Sequence, residues 1–187
     1  MGYSRAGFEV IGVDVKPMKN YPFEFHQADA MTYPLDGFDA IHASPPCQRY
    51  STMSKKRDQH PDLYEPTRDR LVASGIPWVI ENVIGSPYGS GFFLCGSMFG
   101  LVVRRHRNFE TSWMMFRELR CDHEGQGRPI TVVGHGGGKA SPHSDKGVKS
   151  KWPEYMGMPW ATPAECTQAI PPAYCEFIGA ALMRLLR

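Results

Sequence analysis

Four short apolar runs separated by polar connections set the frame for this chain. Val10 to Val15, Phe25 to Ala30 and Phe38 to Ala43 each have the length of a buried strand, and Trp78 to Val83 is a fourth. Before the fourth, between Pro61 and Gly75, the residues Leu63, Pro66, Thr67, Leu71 and Val72 fall at roughly helical spacing. Gly75-Ile76-Pro77 then reads as a helix stop. Strand, helix and strand joined by short connections predict an α/β fold with a mostly parallel sheet covered by helices. In such sheets chemistry gathers at the carboxyl ends of the strands. Those ends hold Asp14, the run Ser44 to Gln48, and Glu81-Asn82.

The second half changes character. From Arg117 to Pro159 glycines and polar residues dominate, with one short apolar run, Ile130 to Val133, so a small loop-rich insertion is expected over 117–159. It divides a core, 1–116, from a C-terminal return, 160–187. Trp152 to Trp160, with Met156 and Met158, reads as a packing segment. Pro171 to Leu186 carries Tyr174, Phe177, Ile178, Ala181, Leu182 and Leu185 at helical spacing and predicts a closing helix.

Composition limits what such a chain does. Its 187 residues are 42% hydrophobic, enough for a core, which excludes wholesale disorder. A net charge of +2 is too small for a general polyanion magnet, so a nucleic-acid partner needs a local basic stripe. No apolar run approaches the roughly 18 residues of a membrane span, and the first residues lack a signal peptide's apolar stretch, so a cytoplasmic protein is expected. Five cysteines, an odd number, predict reduced thiols, one of which is a candidate nucleophile.

Ser44-Pro45-Pro46-Cys47-Gln48 carries the first chemical signal. Two successive prolines fix two φ angles and remove two donors, which suits a rigid exit that holds a thiol in a cleft. A buried structural cysteine on a turn is the competing reading. Glu81 ends an apolar strand, where desolvation raises a carboxyl pKa and suits it to sharing a proton with a ligand nitrogen. A solvated strand end is the plainer alternative. Asp14 sits where an acid meets ribose hydroxyls in doubly wound folds, and both Asp14 and Asp29 could merely cap the next turn. Gly134-His135-Gly136-Gly137-Gly138-Lys139 fails the phosphate-loop spacing. With Lys146, Lys149 and Lys151, Lys139 marks either a DNA-contacting loop or a solvated one. Cys121 and His123, taken with Cys95 and His135, lack a metal-site spacing, and no metal is expected.

Four segments together resemble the DNA cytosine-5 methyltransferase family, in the family's order and over most of the chain. Pro45-Pro46-Cys47-Gln48 is similar to the nucleophile motif and Glu81-Asn82-Val83 to the Glu-Asn-Val motif. Val103-Arg104-Arg105-His106-Arg107 is similar to the motif with two arginines one residue apart, and Gln168 to Tyr174 resembles the last motif. The stretch His42 to Gln48 and the short recognition region look most like compact phage-type and prophage-type members. The resemblance implies a Rossmann-like fold of S-adenosylmethionine-dependent methyltransferases, in a monomeric bacterial enzyme acting on double-stranded DNA.

It also implies residue roles. Cys47 adds to carbon 6 of cytosine, which makes carbon 5 able to take the methyl group of S-adenosylmethionine. Glu81 donates a proton at nitrogen 3, and Arg107 binds the oxygen at position 2, with Arg105 supporting it or holding a phosphate. Asp14, Asp29, Pro45, Asn82 and Ala173 fall to the cofactor, and Pro46, Gln48 and Asn82 to the flipped base. An RNA cytosine-5 methyltransferase and a degenerate, non-catalytic DNA-binding relative are the alternatives. Gly2-Tyr3-Ser4-Arg5-Ala6-Gly7-Phe8 resembles the end of the family's first helix, so the preceding strand and glycine loop are expected to be missing. That predicts a chain truncated at an internal methionine, with a longer reading frame, weak cofactor binding and low activity or stability.

Overall fold

A computed structural model describes residues 1–51, 54, 56–87, 91–115, 119–132, 145 and 147–187. In chain order the elements are α1 (Gly2–Arg5), β1 (Ile11–Asp14), β2 (Glu24–Gln27), β3 (Ile41–Ala43), α2 (Tyr64–Ser74), β4 (Trp78–Val83), β5 (Phe92–Leu94), β6 (Arg107–Thr111), α3 (His123–Gln126), α4 (Trp152–Tyr155), α5 (Pro163–Gln168) and α6 (Pro172–Leu185). Among the described residues no helix is long and apolar enough to cross a membrane. The chain forms two units, one of residues 1–33, 96–105 and 119–187, the other of 34–95 and 106–118.

In the second unit the strand order is β3-β4-β6-β5. β3 and β4 run parallel, with Ala43 opposite Ile80, while β6 is antiparallel to both β4 and β5. The sheet is therefore mixed, which corrects the expectation of a mostly parallel one. Parallel pairing holds where a helix crosses over, from β3 through α2 to β4, and gives way where the later strands pair directly. Five of the six residues of β4 are buried, as expected for a central strand. α2 lays Tyr64, Thr67 and Leu71 inward, and Tyr64 and Leu71 form a core with Trp78 and Ile80. Burying a side chain such as Leu71 contributes about 1.5–3 kcal/mol. The helix stops at Gly75, whose φ of 67° lies in the left-handed region that glycine enters without a steric cost.

In the first unit β1 and β2 form a parallel pair that brings Asp14 opposite Gln27. α1 packs on α6 through two glycines. A Cβ at Gly2 would lie 2.1 Å from the Pro172 carbonyl oxygen, and one at Gly179 would lie 2.8 Å from the Ala6 Cβ. α6 buries Tyr174, Ile178 and Leu182, one residue per turn on a single stripe, as its sequence spacing predicts. Val103, Val132, Trp152, Met156 and Cys166 make a further core, so the tryptophan and methionine segment does pack inward. Among the described residues, 119–159 hold only short helical turns and isolated bridges from Ile130 to Val103 and Asp145.

Candidate functional site

The parallel pairing of β3 and β4 decides where the two strongest motifs go. Because Ala43 lies opposite Ile80, Ser44-Pro45 leaves the sheet alongside Glu81-Asn82. Asn82, 2% exposed, donates from Nδ2 to the Pro45 carbonyl at 2.9 Å. Its own Oδ1 accepts from the Val83 amide, so the side chain is fixed at both ends. The Asn of one motif thus holds the proline exit of the other. Beyond the prolines, the Cys47 carbonyl accepts from the amides of Tyr50 and Ser51 and starts a helical turn. The Tyr50 hydroxyl donates to Asp62, and Arg49 lies 3.4 Å from the same carboxylate. Pro45 is buried, Cys47 is half-buried, and Pro46 and Gln48 are exposed. A rigid loop therefore presents the thiol with some access to solvent.

Strand alternation sends Glu81 the other way from Asn82. In the β4–β6 pairing Glu81 lies opposite Phe109 and Val83 opposite Arg107, which places Glu81 and Arg107 as diagonal neighbours on one face. Arg107 Nε is 3.0 Å from Glu81 Oε1, and Nη1 donates to the His106 carbonyl at 2.8 Å. Glu81 is 8% exposed. The desolvation expected from the sequence is present, together with a counter-charge that the sequence did not show. The opposite face carries Glu110, which accepts from the Tyr64 hydroxyl at 2.9 Å and pairs with Arg68 at 2.8 Å. Burial, followed by the bond to Glu110, holds the Tyr64 hydroxyl well above the usual phenol range.

Arg105 is engaged with backbone carbonyls of the first unit. Its φ of 38° bends the chain. Nη1 and Nη2 donate to the carbonyls of Val132 and Thr167, at 3.1 and 2.8 Å. The guanidinium ties three segments of the first unit together. The Tyr174 hydroxyl, at the end of the last motif, donates to the carbonyls of Arg104 and Arg105. This role escaped the sequence reading, because a tyrosine on an apolar helical stripe gives no sign of where its hydroxyl goes.

The candidate cofactor residues lie in the first unit. β1 and β2 end side by side, and their acids follow at one edge. Both are exposed and engaged locally: Asp14 Oδ1 accepts from the Lys16 amide at 2.8 Å, and Asp29 Oδ1 from the Met31 amide at 2.9 Å. Ala173 lines a cleft of about 360 Å³ with Phe99, Glu176, Phe177 and Ala180, and neither aspartate lines it. Of the expected basic loop, Lys139 and Lys146 lie outside the described residues. Lys149 and Lys151 are exposed, with Lys149 Nζ 5.8 Å from the centre of the Trp152 ring.

Sequence reasoning also passed over Asn108. It lies opposite Asn82, is 2% exposed, and among the described residues its Oδ1 has no hydrogen-bond partner. Of the residues weighed as metal ligands in the sequence, His135 lies outside the described residues.

No protein-family model matches the chain, and no curated protein matches it.

Proposed function

We propose that the chain is a DNA cytosine-5 methyltransferase built on a Rossmann-like sheet. The observation that carries the reading is the Asn82 bond to Pro45, which ties the Pro-Pro-Cys exit to the strand that presents Glu81. Two motifs distant in sequence share one strand end, with a half-buried thiol after one and a buried carboxylate in the other. Arg107 beside Glu81 adds the third polar group that the resemblance calls for.

Each residue has a chemical task in this reading. Cys47 attacks carbon 6 as the thiolate, and the Pro45-Pro46 exit limits its positions, so that little ordering is left for the reaction. Glu81 shares a proton with nitrogen 3, and its buried setting strengthens that hydrogen bond relative to water. Arg107 balances the carboxylate when the site is empty and turns to the ring oxygen when a base enters. Pro46 and Gln48, exposed on the loop, meet the base and its neighbours. Flipping that base out of a duplex costs a few kcal/mol. S-adenosylmethionine would supply the methyl group to carbon 5 and leave as S-adenosylhomocysteine. Loss of the carbon 5 proton then expels the Cys47 thiolate and restores the ring, a loss that fluorine at carbon 5 blocks. The cleft at Ala173 fits part of such a molecule in size and apolar lining, and the exposed Asp14 offers an acceptor for ribose hydroxyls.

Trapping provides the test. With S-adenosylmethionine, duplex DNA containing 5-fluorocytosine is expected to form a covalent adduct at Cys47, located by peptide mass spectrometry. Cys47→Ser gives none, and Glu81→Gln slows a single turnover on ordinary DNA by about 10²–10⁴. An adduct at another cysteine, or trapping on RNA but not on duplex DNA, would refute the assignment.

A further inference from the structure

We propose that Tyr33 is a nucleophilic phenol, activated by His26 and Glu24, that accepts an acyl group from an activated ester. All three residues belong to the first unit. Glu24 and His26 fall on one face of β2, opposite Ile11 and Val13 of β1, while Phe25 turns to the other face and packs against Tyr21 with ring centroids 5.7 Å apart. The polar and aromatic faces are thus separate.

The turn after β2 brings Tyr33 back to the polar face. Asp29 builds that turn: its carbonyl accepts from the amides of Thr32 and Tyr33, at 3.1 and 2.9 Å, and its Oδ1 accepts from the Met31 amide at 2.9 Å. The Tyr33 hydroxyl then meets Nδ1 of His26, with the ring centroids 5.6 Å apart and the planes inclined at 53°. Nε2 of the same imidazole is 2.8 Å from Glu24 Oε1.

These contacts assign the protons. An ionised carboxylate only accepts, so in the neutral imidazole Nε2 carries the hydrogen and donates it to Glu24. Nδ1 is then the acceptor, and the phenol donates to it. A nucleophile bonded to a base that a carboxylate orients is the arrangement that activates serine in hydrolases, here with a phenol in the serine's place. The side chains of His26 and Glu24 are 40% and 58% exposed and Tyr33 is half-buried, which leaves the relay open to a small electrophile. Glu24 beside the relay and Asp29 in the turn would repel a phosphate, and both tolerate a neutral ester.

In the transfer, the Tyr33 oxygen bonds to the acyl carbon, the bond from that carbon to the leaving oxygen breaks, and the phenol proton passes to His26 Nδ1. The leaving group departs with the electron pair, as a phenolate from an aryl ester. The imidazolium, stabilised by Glu24, gives its proton to water, and an O-acyl tyrosine remains. No part of this depends on methyl transfer.

The probe is p-nitrophenyl acetate, applied to the whole protein, with each acetyl group located by peptide mass spectrometry. Tyr155, half-buried on α4, serves as the reference. General-base help is typically worth about 10²–10⁴, and solvent exposure reduces it here, so Tyr33 should acetylate about tenfold faster than Tyr155. In His26→Gln the amide still bonds the phenol but cannot take its proton, and the rate at Tyr33 should fall to that at Tyr155. Glu24→Gln changes an exposed side chain whose charge water screens, and should slow Tyr33 about threefold. Both variants should melt with the parent, which separates lost activation from lost folding. Acetylation of Tyr33 no faster than Tyr155, or unchanged in both variants, would overturn the proposal. So would a stable acetyl group on the His26 ring, because the imidazole would then be the nucleophile.

Discussion

Two parallel strand pairs in this chain each end on acids, and the acids meet opposite fates. At the end of β4, Glu81 is buried and its carboxylate is met by Arg107 from β6, far along the chain. At the ends of β1 and β2, Asp14 and Asp29 stay exposed and accept from backbone amides two residues on. The difference follows from what covers each edge. β4 is flanked by β3 and β6, so any charge on it loses water and must find a long-range partner. Among the described residues β1 and β2 pair only with each other, and their acids stay exposed to water. A buried acid therefore reports a built site, whereas an exposed strand-end acid reports first of all a turn.

Arg107→Ala is the most severe way to break the comparison. Breaking a buried pair leaves an uncompensated charge and costs about 3–5 kcal/mol. The side chains of Arg107 and Glu81 are 19% and 10% exposed, so water offsets part of this, and about 3 kcal/mol is expected by urea denaturation. Adding Glu81→Gln should restore part of the loss, because no charge is then left without a partner. A single variant within about 0.5 kcal/mol of the parent would show that the pair behaves like a surface one.

His42, on β3 next to the same strand end, sharpens the contrast through pH. Burial pushes its pKa down to about 4, from an ordinary value of 6.5. Between these values the unfolded chain binds a proton that the folded chain refuses. Stability from the neutral ring is therefore complete above about 6.5 and is lost as the pH falls toward 4. The change across that window is expected to be about 2 kcal/mol, and His42→Gln should remove that part of the slope. An unchanged slope in the variant would place the acid sensitivity elsewhere.

Much of this was legible in the sequence, for identifiable reasons. Trp78 to Val83 was readable as a strand because every side chain in a central strand is drawn from apolar or committed polar residues, and α2 because Gly75 marks its end. β5 and β6 were not readable. Phe92–Leu94 is too short to show a period, and Arg107–Thr111 mixes charged and apolar residues because one of its faces carries the pairing with Glu81. The same mixture hid the mixed sheet. The motifs located Cys47, Glu81 and Asn82, yet not the bond from Asn82 to Pro45, which depends on the β3–β4 register. The bonds from Arg105 to the Val132 and Thr167 carbonyls were not legible either, because nothing in the sequence announces its φ of 38°.

The smallest expected effect tests the exposed half of the comparison. Asp14→Ala removes one solvent-exposed bond, from the Lys16 amide at 2.8 Å, and water replaces it. A net loss of about 0.5–1 kcal/mol follows, well below that of Arg107→Ala. If Asp14 also receives ribose hydroxyls, the same variant should weaken S-adenosylmethionine binding about tenfold by calorimetry, which corresponds to about 1.4 kcal/mol. The two measurements separate the roles, since a turn cap changes stability alone and a ligand group changes affinity at nearly constant stability. Unchanged affinity in Asp14→Ala would leave the residue as a turn cap. The exposed edge of β1–β2 would then be part of the frame, with the methyl-transfer chemistry confined to the ends of β3 and β4.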